Sequence, residues 1–213
     1  MSVKQFENNR WSKDVQVVCF RHKAALSMID SGIVLDLGSG DGLFLSLLKE
    51  KGIKGNGLDI SEEGISKTRD RGIEATVFDF NNKIPFPDNT FDTVSILDLL
   101  EHLYTPEILL REATRVSKKY VVVSVPNFSS LPARIQTLFG AIPENNKPNK
   151  GHIYWFNYSG LRKMTKESGL SLVEIRMNTF WQDYFLVGVI LRFMTKIWPS
   201  LFALSFVVKL EKK

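Results

Sequence analysis

The sequence predicts an α/β protein, a doubly wound and mostly parallel sheet with helices on both faces. Three observations carry this. Short apolar, β-branched runs alternate with helical segments of roughly ten to fifteen residues, the signature of βαβ units. A glycine-rich turn, Gly38-Ser39-Gly40-Asp41-Gly42, joins the first run directly to the following helix. Aspartates stand at or just beyond the ends of four successive runs, at Asp36, Asp59, Asp79 and Asp98. With 213 residues, 44% of them hydrophobic, residues 1–213 are expected to form a single domain.

The elements follow in order. From Ser12 to Ser31, Val15, Val18, Cys19, His22, Leu26 and Ile29 recur at the spacing of one helical face. A helix is expected there, with Cys19 packed inside and Gly32 as its stop. Ile33–Leu37 is the first strand, and Leu43–Lys51 the helix after the glycine turn. Asn56–Ile60 reads as a second strand, Glu62–Arg71 as a helix, and Ala75–Phe80 as a third strand. A polar, proline-bearing loop over 81–89 leads to a fourth strand at Phe91–Leu97 and a helix at Pro106–Ser117. Tyr120–Val125 is β-branched enough to be a central strand, stopped by Pro126. Residues 127–157 break the rhythm with three prolines and several aromatics, and such long irregular segments are often lids. A helix at Tyr158–Ser168, a strand at Leu170–Arg176, an aromatic-rich helical stretch over Trp181–Trp198 and a last strand near Phe202–Leu210 complete the chain.

Composition narrows the function. Cys19 is the single cysteine, so no internal disulfide is possible and a reducing cytoplasm is the expected compartment. The first fifteen residues are polar, unlike a secretory signal. The apolar stretch from Phe180 to Val208 is interrupted by Asp183, Arg192, Lys196 and Pro199, so no membrane span is expected. Residues 1–108 carry 12 Lys+Arg against 17 Asp+Glu, and residues 109–213 carry 16 against 6. The basic residues of the second half never run longer than two, which favours a solvated surface over a nucleic-acid interface.

The glycine turn carries the chemistry. Alternate glycines let the backbone turn tightly after a strand and approach a ligand without Cβ interference, while the following helix directs free N–H groups toward it. A dinucleotide fingerprint has G-x-G-x-x-G and a pyrophosphate on the helix N-terminus, whereas the spacing here is G-x-G-x-G. Asp36 before the turn and Asp41 within it would repel phosphate and favour a ligand bearing an ammonium and a sulfonium. No Lys-Ser or Lys-Thr follows, so a P-loop is excluded. Asp59, about twenty residues on, can accept from both hydroxyls of a ribose. The three histidines and the cysteine are dispersed without zinc spacing, so no metal site is expected.

Together, Val34–Gly42, Asp59-Ile60, Asp79-Phe80, Pro87–Asp92 and Asp98–Leu103 resemble the motif set of the class I S-adenosylmethionine-dependent methyltransferases. Ser124–Phe128 and Gly151–Phe156 are similar to the MetW branch and neighbouring small-molecule methyltransferases. The resemblance implies a seven-stranded Rossmann-like sheet, with Phe202–Lys209 as its closing antiparallel strand. It implies S-adenosylmethionine as cofactor and S-adenosylhomocysteine as product. Asp36, Gly38 and Gly40 would hold the methionine moiety, with Ser39, Asp41 and Gly42 also binding the cofactor. Asp59 would take the ribose and Ile60 pack on the adenine. Asp79 would bond the adenine amine with Phe80 beside it, and Asp98 and Leu99 would border the methyl group. His102 and His152 are the candidate bases for an acceptor that must lose a proton.

The expected acceptor is a small molecule, a lipid-like compound or a peptide. The family's Asn/Asp-Pro-Pro-aromatic clamp for nucleic-acid amines is replaced by Asp98-Leu99-Leu100-Glu101, which makes nucleic acid an unlikely substrate. Two further readings stand beside this one. One is a MetW-like, non-catalytic cofactor-binding partner of a methionine-pathway enzyme, docked through the C-terminal aromatic segment. The other, a nicotinamide-dependent oxidoreductase, is disfavoured by the glycine spacing.

Overall fold

Ile33–Leu37 (β1) is the strand around which the sheet is built, and the computed structural model describes residues 3–13 and 16–213. Parallel to β1 run Lys54–Asp59 (β2) on one side and Phe91–Leu97 (β4) on the other. Glu74–Val77 (β3) pairs with β2, and Ser117–Pro126 (β5) pairs with β4, also parallel. Leu170–Thr179 (β6) and Ala203–Lys212 (β7) finish the sheet, with β7 inserted antiparallel between β5 and β6. The order is β3-β2-β1-β4-β5-β7-β6. The direction of winding reverses between β1 and β4, so a crevice opens at the carboxyl ends of those strands.

Helices Val3–Lys13 (α1), Phe20–Met28 (α2), Leu43–Glu50 (α3), Glu62–Asp70 (α4), Pro106–Val116 (α5) and Tyr158–Glu167 (α7) fill the connections, with Leu131–Leu138 (α6), Phe185–Ile197 (α8) and the short Pro199–Phe202 (α9). Two apolar layers result. Leu35, Val94, Ile96, Val121, Val123 and Phe206 belong to one, joined by α5 and α7. Val34, Phe44, Leu48, Val122 and Val207 belong to the other, joined by α2 and α3. The alternation of Val121, Val122 and Val123 between layers is the period-two rule of a strand buried on both faces. Among the described residues no helix is long and apolar enough to cross a membrane.

Several sequence expectations need correction. The helix expected over Ser12–Ser31 is two helices, α1 and α2, with residues 16–19 outside regular structure; Val15 lies outside the described residues. Cys19 is only half-buried and precedes α2, its Sγ 3.5 Å from His22 Nδ1, so it caps rather than packs. Gly32 does have positive φ, at 97°, but it turns the chain into β1 after a helix that ended at Met28. The third strand stops at Val77, two residues short of Asp79. β5 includes Pro126, whose neighbour is β7. Within 127–157 stands α6, because Pro132 sits in its first turn, where a missing N–H costs nothing.

The loop between β3 and β4 is held by one side chain. Arg115 of α5 donates to the carbonyls of Ile84 and Phe86 and pairs with Glu112 and Asp88. Its side chain is largely shielded, so Arg115→Ala strands two carbonyls and one carboxylate. The expected loss is about 2–3 kcal/mol, read as a lowered midpoint in urea unfolding without a change in slope.

Candidate active site

The turn after β1 is shaped by backbone need. Gly38, Gly40 and Gly42 have φ of 79°, 54° and 76°, a region in which a side chain is strained. Gly38 N–H donates to the Leu58 carbonyl at 2.8 Å, tying the turn to β2. A Cβ on Gly38 would lie 3.2 Å from the Leu99 side chain, so the turn after β1 and the residue after β4 touch.

Asp59 bridges the turn. Its Oδ2 accepts from Gly40 N–H and its Oδ1 from Ser61 N–H, both at 2.8 Å. Ser61 caps α4 through Gly64 N–H, as that residue type predicts. Burial raises the Asp59 carboxyl above the usual range, against these hydrogen bonds. Asp36 is buried as well; its Oδ1 accepts from Ser95 Oγ at 2.6 Å. Burial pushes its pKa up to about 7, with the Asp59 charge adding in the same direction. No cation pairs with Asp36 among the described residues. The Ser39 hydroxyl close by is buried without a hydrogen-bond partner among the described residues.

Asp41 has a different part. It accepts from Leu43 N–H at the start of α3 and pairs with Arg71 at 3.1 Å. Its charge is thus paired inside the fold. Asp79 is exposed and closes its own turn by accepting from the backbone and side chain of Asn81. Phe80 lies edge-on to Phe78. Ile60, half-buried, continues from Asp59. Asp98 takes a left-handed φ of 52°, is held by Ser124 and pairs with Arg21 at 3.1 Å. Non-glycine residues held in that region cluster at functional sites.

His102 and His152, fifty residues apart, meet here with ring centroids 4.9 Å apart. Glu101 lies beneath them, 1% exposed, its carbonyl accepting from Ile153 and Tyr154 N–H. Burial lowers the His102 pKa to about 4 and that of His152 in the same direction, so both rings are neutral at pH 7. His102 alone is therefore a weak proton acceptor.

The residues that sequence reasoning missed are in α1. This helix lies over the carboxyl ends of the strands. Asn8 accepts from Ser61 Oγ and Glu62 N–H at 2.8 and 2.9 Å. The Trp11 ring fills the space where a Gly40 Cβ would stand, Phe6 approaches Gly151, and Glu7 is close enough to Asp59 for the two charges to interact. The helix has no apolar stripe, so nothing periodic announced it; the lone Trp11 in a polar stretch was the available signal.

Comparison with known proteins is consistent with this geometry. The family profile described as methionine biosynthesis protein MetW matches residues 21–205. A phosphatidylethanolamine N-methyltransferase of Cereibacter sphaeroides is 27% identical over 72% of the chain and 77% of its own length. The bifunctional methionine biosynthesis protein MetXA/MetW of Rhodopirellula baltica is 30% identical over 50% of the chain, which spans only 19% of that protein. The fold matches the magnesium protoporphyrin IX methyltransferase of Synechocystis, solved with bound S-adenosylhomocysteine, with a TM-score of 0.70 and 15% identity over 99% of this chain and 98% of that one.

Proposed function

The chain belongs to the methionine biosynthesis protein MetW family, with a class I S-adenosylmethionine-dependent methyltransferase fold, and on that premise we propose that it transfers the methyl group of S-adenosylmethionine to a small-molecule acceptor. The observation that carries the reading is Asp36, a buried carboxylate without a cation among the described residues, beside a turn built from glycines. The donor set suits an ammonium-bearing, phosphate-free nucleoside: one carboxylate wanting a cation and one buried hydroxyl without a partner among the described residues.

When bound, S-adenosylmethionine supplies an electrophilic methyl on sulfur, open to in-line attack by a lone pair of the acceptor. The protein's part is placement. Asp36 would hold the ammonium, Gly38 and Gly40 let Leu99 and Trp11 close on the turn, and Ser39 would gain a partner. Asp59 holds the turn and is offered to the ribose, with Ile60 against the adenine and Asp79 and Phe80 at its rim. Asp98 and Leu99 would border the methyl group. Alignment of this kind can contribute up to about 7–11 kcal/mol. We read residues 1–213 as one domain in which residues 127–157 form a lid and α1 a second cover.

The acceptor is proposed to be lipid-like or planar. Trp155 tilts against Phe128, which meets His152 edge-on, so an aromatic path runs from solvent to the histidines. A relative that acts on phosphatidylethanolamine supports the same class. A partner-protein role has one specific support: α8 exposes Phe185, Leu186, Ile190 and Phe193, and contiguous apolar surface marks interaction sites.

The test is thermal unfolding with S-adenosylhomocysteine and with NAD, followed by labelled-methyl transfer to lipid, quinone and small-amine acceptors. S-adenosylhomocysteine should raise the midpoint, and NAD should leave it unchanged. Indifference to S-adenosylhomocysteine would refute the reading. Binding without transfer to any acceptor, together with recovery of one stoichiometric enzyme, would favour the partner role.

A further inference from the structure

We propose that Glu101, His102 and His152 form a binding site for a single divalent transition-metal ion. One potential ligand atom from each of the three side chains lies within 4.8 Å of the other two. His152 Nε2 is 4.0 Å from Glu101 Oε1. Bonds of about 2.0–2.2 Å put ligand atoms about 3–3.5 Å apart, so the trio needs to close by only about 1 Å around an ion.

Two further observations point to a ligand. Glu101 is buried, and its Oε2 has no hydrogen-bond partner among the described residues. An orphaned carboxylate oxygen in the interior is costly unless something positive meets it. Each histidine, in addition, has its Nδ1 engaged by a backbone carbonyl, His102 with Gly151 at 3.1 Å and His152 with Asn145 at 2.8 Å. A carbonyl can only accept, so each Nδ1 carries the proton and each Nε2 presents a lone pair. That is the arrangement by which proteins set the tautomer and aim of a metal-bound imidazole.

The backbone builds the site across fifty residues. The Glu101 carbonyl accepts from Ile153 and Tyr154 N–H at 2.8 and 3.0 Å, which pins His152 over the turn that carries Glu101 and His102. Two imidazoles and one carboxylate suit zinc, iron, cobalt, nickel or manganese better than magnesium or calcium, which favour all-oxygen shells. Three protein ligands leave a coordination position open. Resting on the methyl-transfer reading, that position would take an oxygen-bearing acceptor, since Glu101 and His102 closely follow Asp98 and Leu99 in the chain.

The experiment uses the full chain, stripped by chelator dialysis and titrated with Co²⁺ and Zn²⁺. Binding is followed by calorimetry and by the visible absorption of the cobalt form. One ion per chain is expected. His152→Ala and Glu101→Gln should each weaken binding by at least about 100-fold, the upper end of what loss of an outer-shell partner costs. Both variants should keep the wild-type circular dichroism and the wild-type response to S-adenosylhomocysteine. Absence of stoichiometric binding overturns the proposal, as does equal binding by the two folded variants. Cobalt binding without any response to S-adenosylhomocysteine would leave the metal site standing and remove only the methyl-transfer reading.

Discussion

Replacing Asp59 with alanine is expected to weaken S-adenosylhomocysteine binding by ten- to a hundredfold. The carboxylate holds Gly40 N–H and Ser61 N–H at 2.8 Å each. Hydrogen bonds to a charged group contribute about 1.5–3 kcal/mol, and removing the acceptor leaves two donors without a partner in the interior. The energies do not simply add, because burial already disfavours the anion. Loss of the bridge leaves the turn tied to β2 only through Gly38 and Ser39 N–H, and a loosened Gly40 would no longer present its backbone to the cofactor. Asp59→Asn separates the two roles: its remaining carbonyl oxygen can keep one backbone bond, so stability should largely return while ribose binding stays impaired. Calorimetry on both variants, with urea unfolding alongside, reads the two effects independently. Unchanged affinity in Asp59→Ala would remove this residue from the site.

The second large effect is a pair of opposite changes at Asp36. In the cofactor-free protein its pKa stands at about 7. A carboxyl raised in the folded state binds its proton more tightly there than in the unfolded chain. Stability is therefore full below the unfolded value near 4 and declines as pH rises toward 7. Three pH units correspond to about 4 kcal/mol at most. Asp36→Asn removes that penalty while its carbonyl can still accept from Ser95 Oγ. The variant should consequently unfold at higher temperature than the parent at pH 8 and show no gain at pH 4.

Binding should move the other way. An ammonium pairs with the ionised carboxylate, so affinity for S-adenosylhomocysteine should rise about tenfold per pH unit up to about 7 and then level off. In Asp36→Asn the slope should vanish, with affinity at pH 8 down by about a hundredfold or more, the loss of a buried charge pair. Calorimetric titrations between pH 5.5 and 8.5 would decide it. A wild-type affinity flat across that range would show that Asp36 does not meet the cofactor's charge.

The parallel half of the fold was legible because its information is local. β1 and β4 fall on their expected residues, and β2 lies within two residues of its expected ends. An apolar run, a glycine turn and an amphipathic helix each announce themselves within a dozen residues, and right-handed crossovers then leave little choice of topology. Asp36, Asp59 and Asp98 were legible for the same reason, as acids at strand ends. Asp79 was placed on a strand that stops at Val77, since the residues after it form a turn closed by Asp79 itself.

By itself the sequence determined the alternating architecture, the glycine turn and the charge character of the ligand it receives. The tertiary structure alone decided how those acids are engaged, pairing Asp41 with Arg71 and leaving Asp36 without a cation among the described residues. It also laid α1 across the turn and brought His152 over Glu101 and His102. Those outcomes depend on contacts between residues about thirty to fifty apart, whose closure rests on packing of the whole sheet, and no short-range periodicity encodes them.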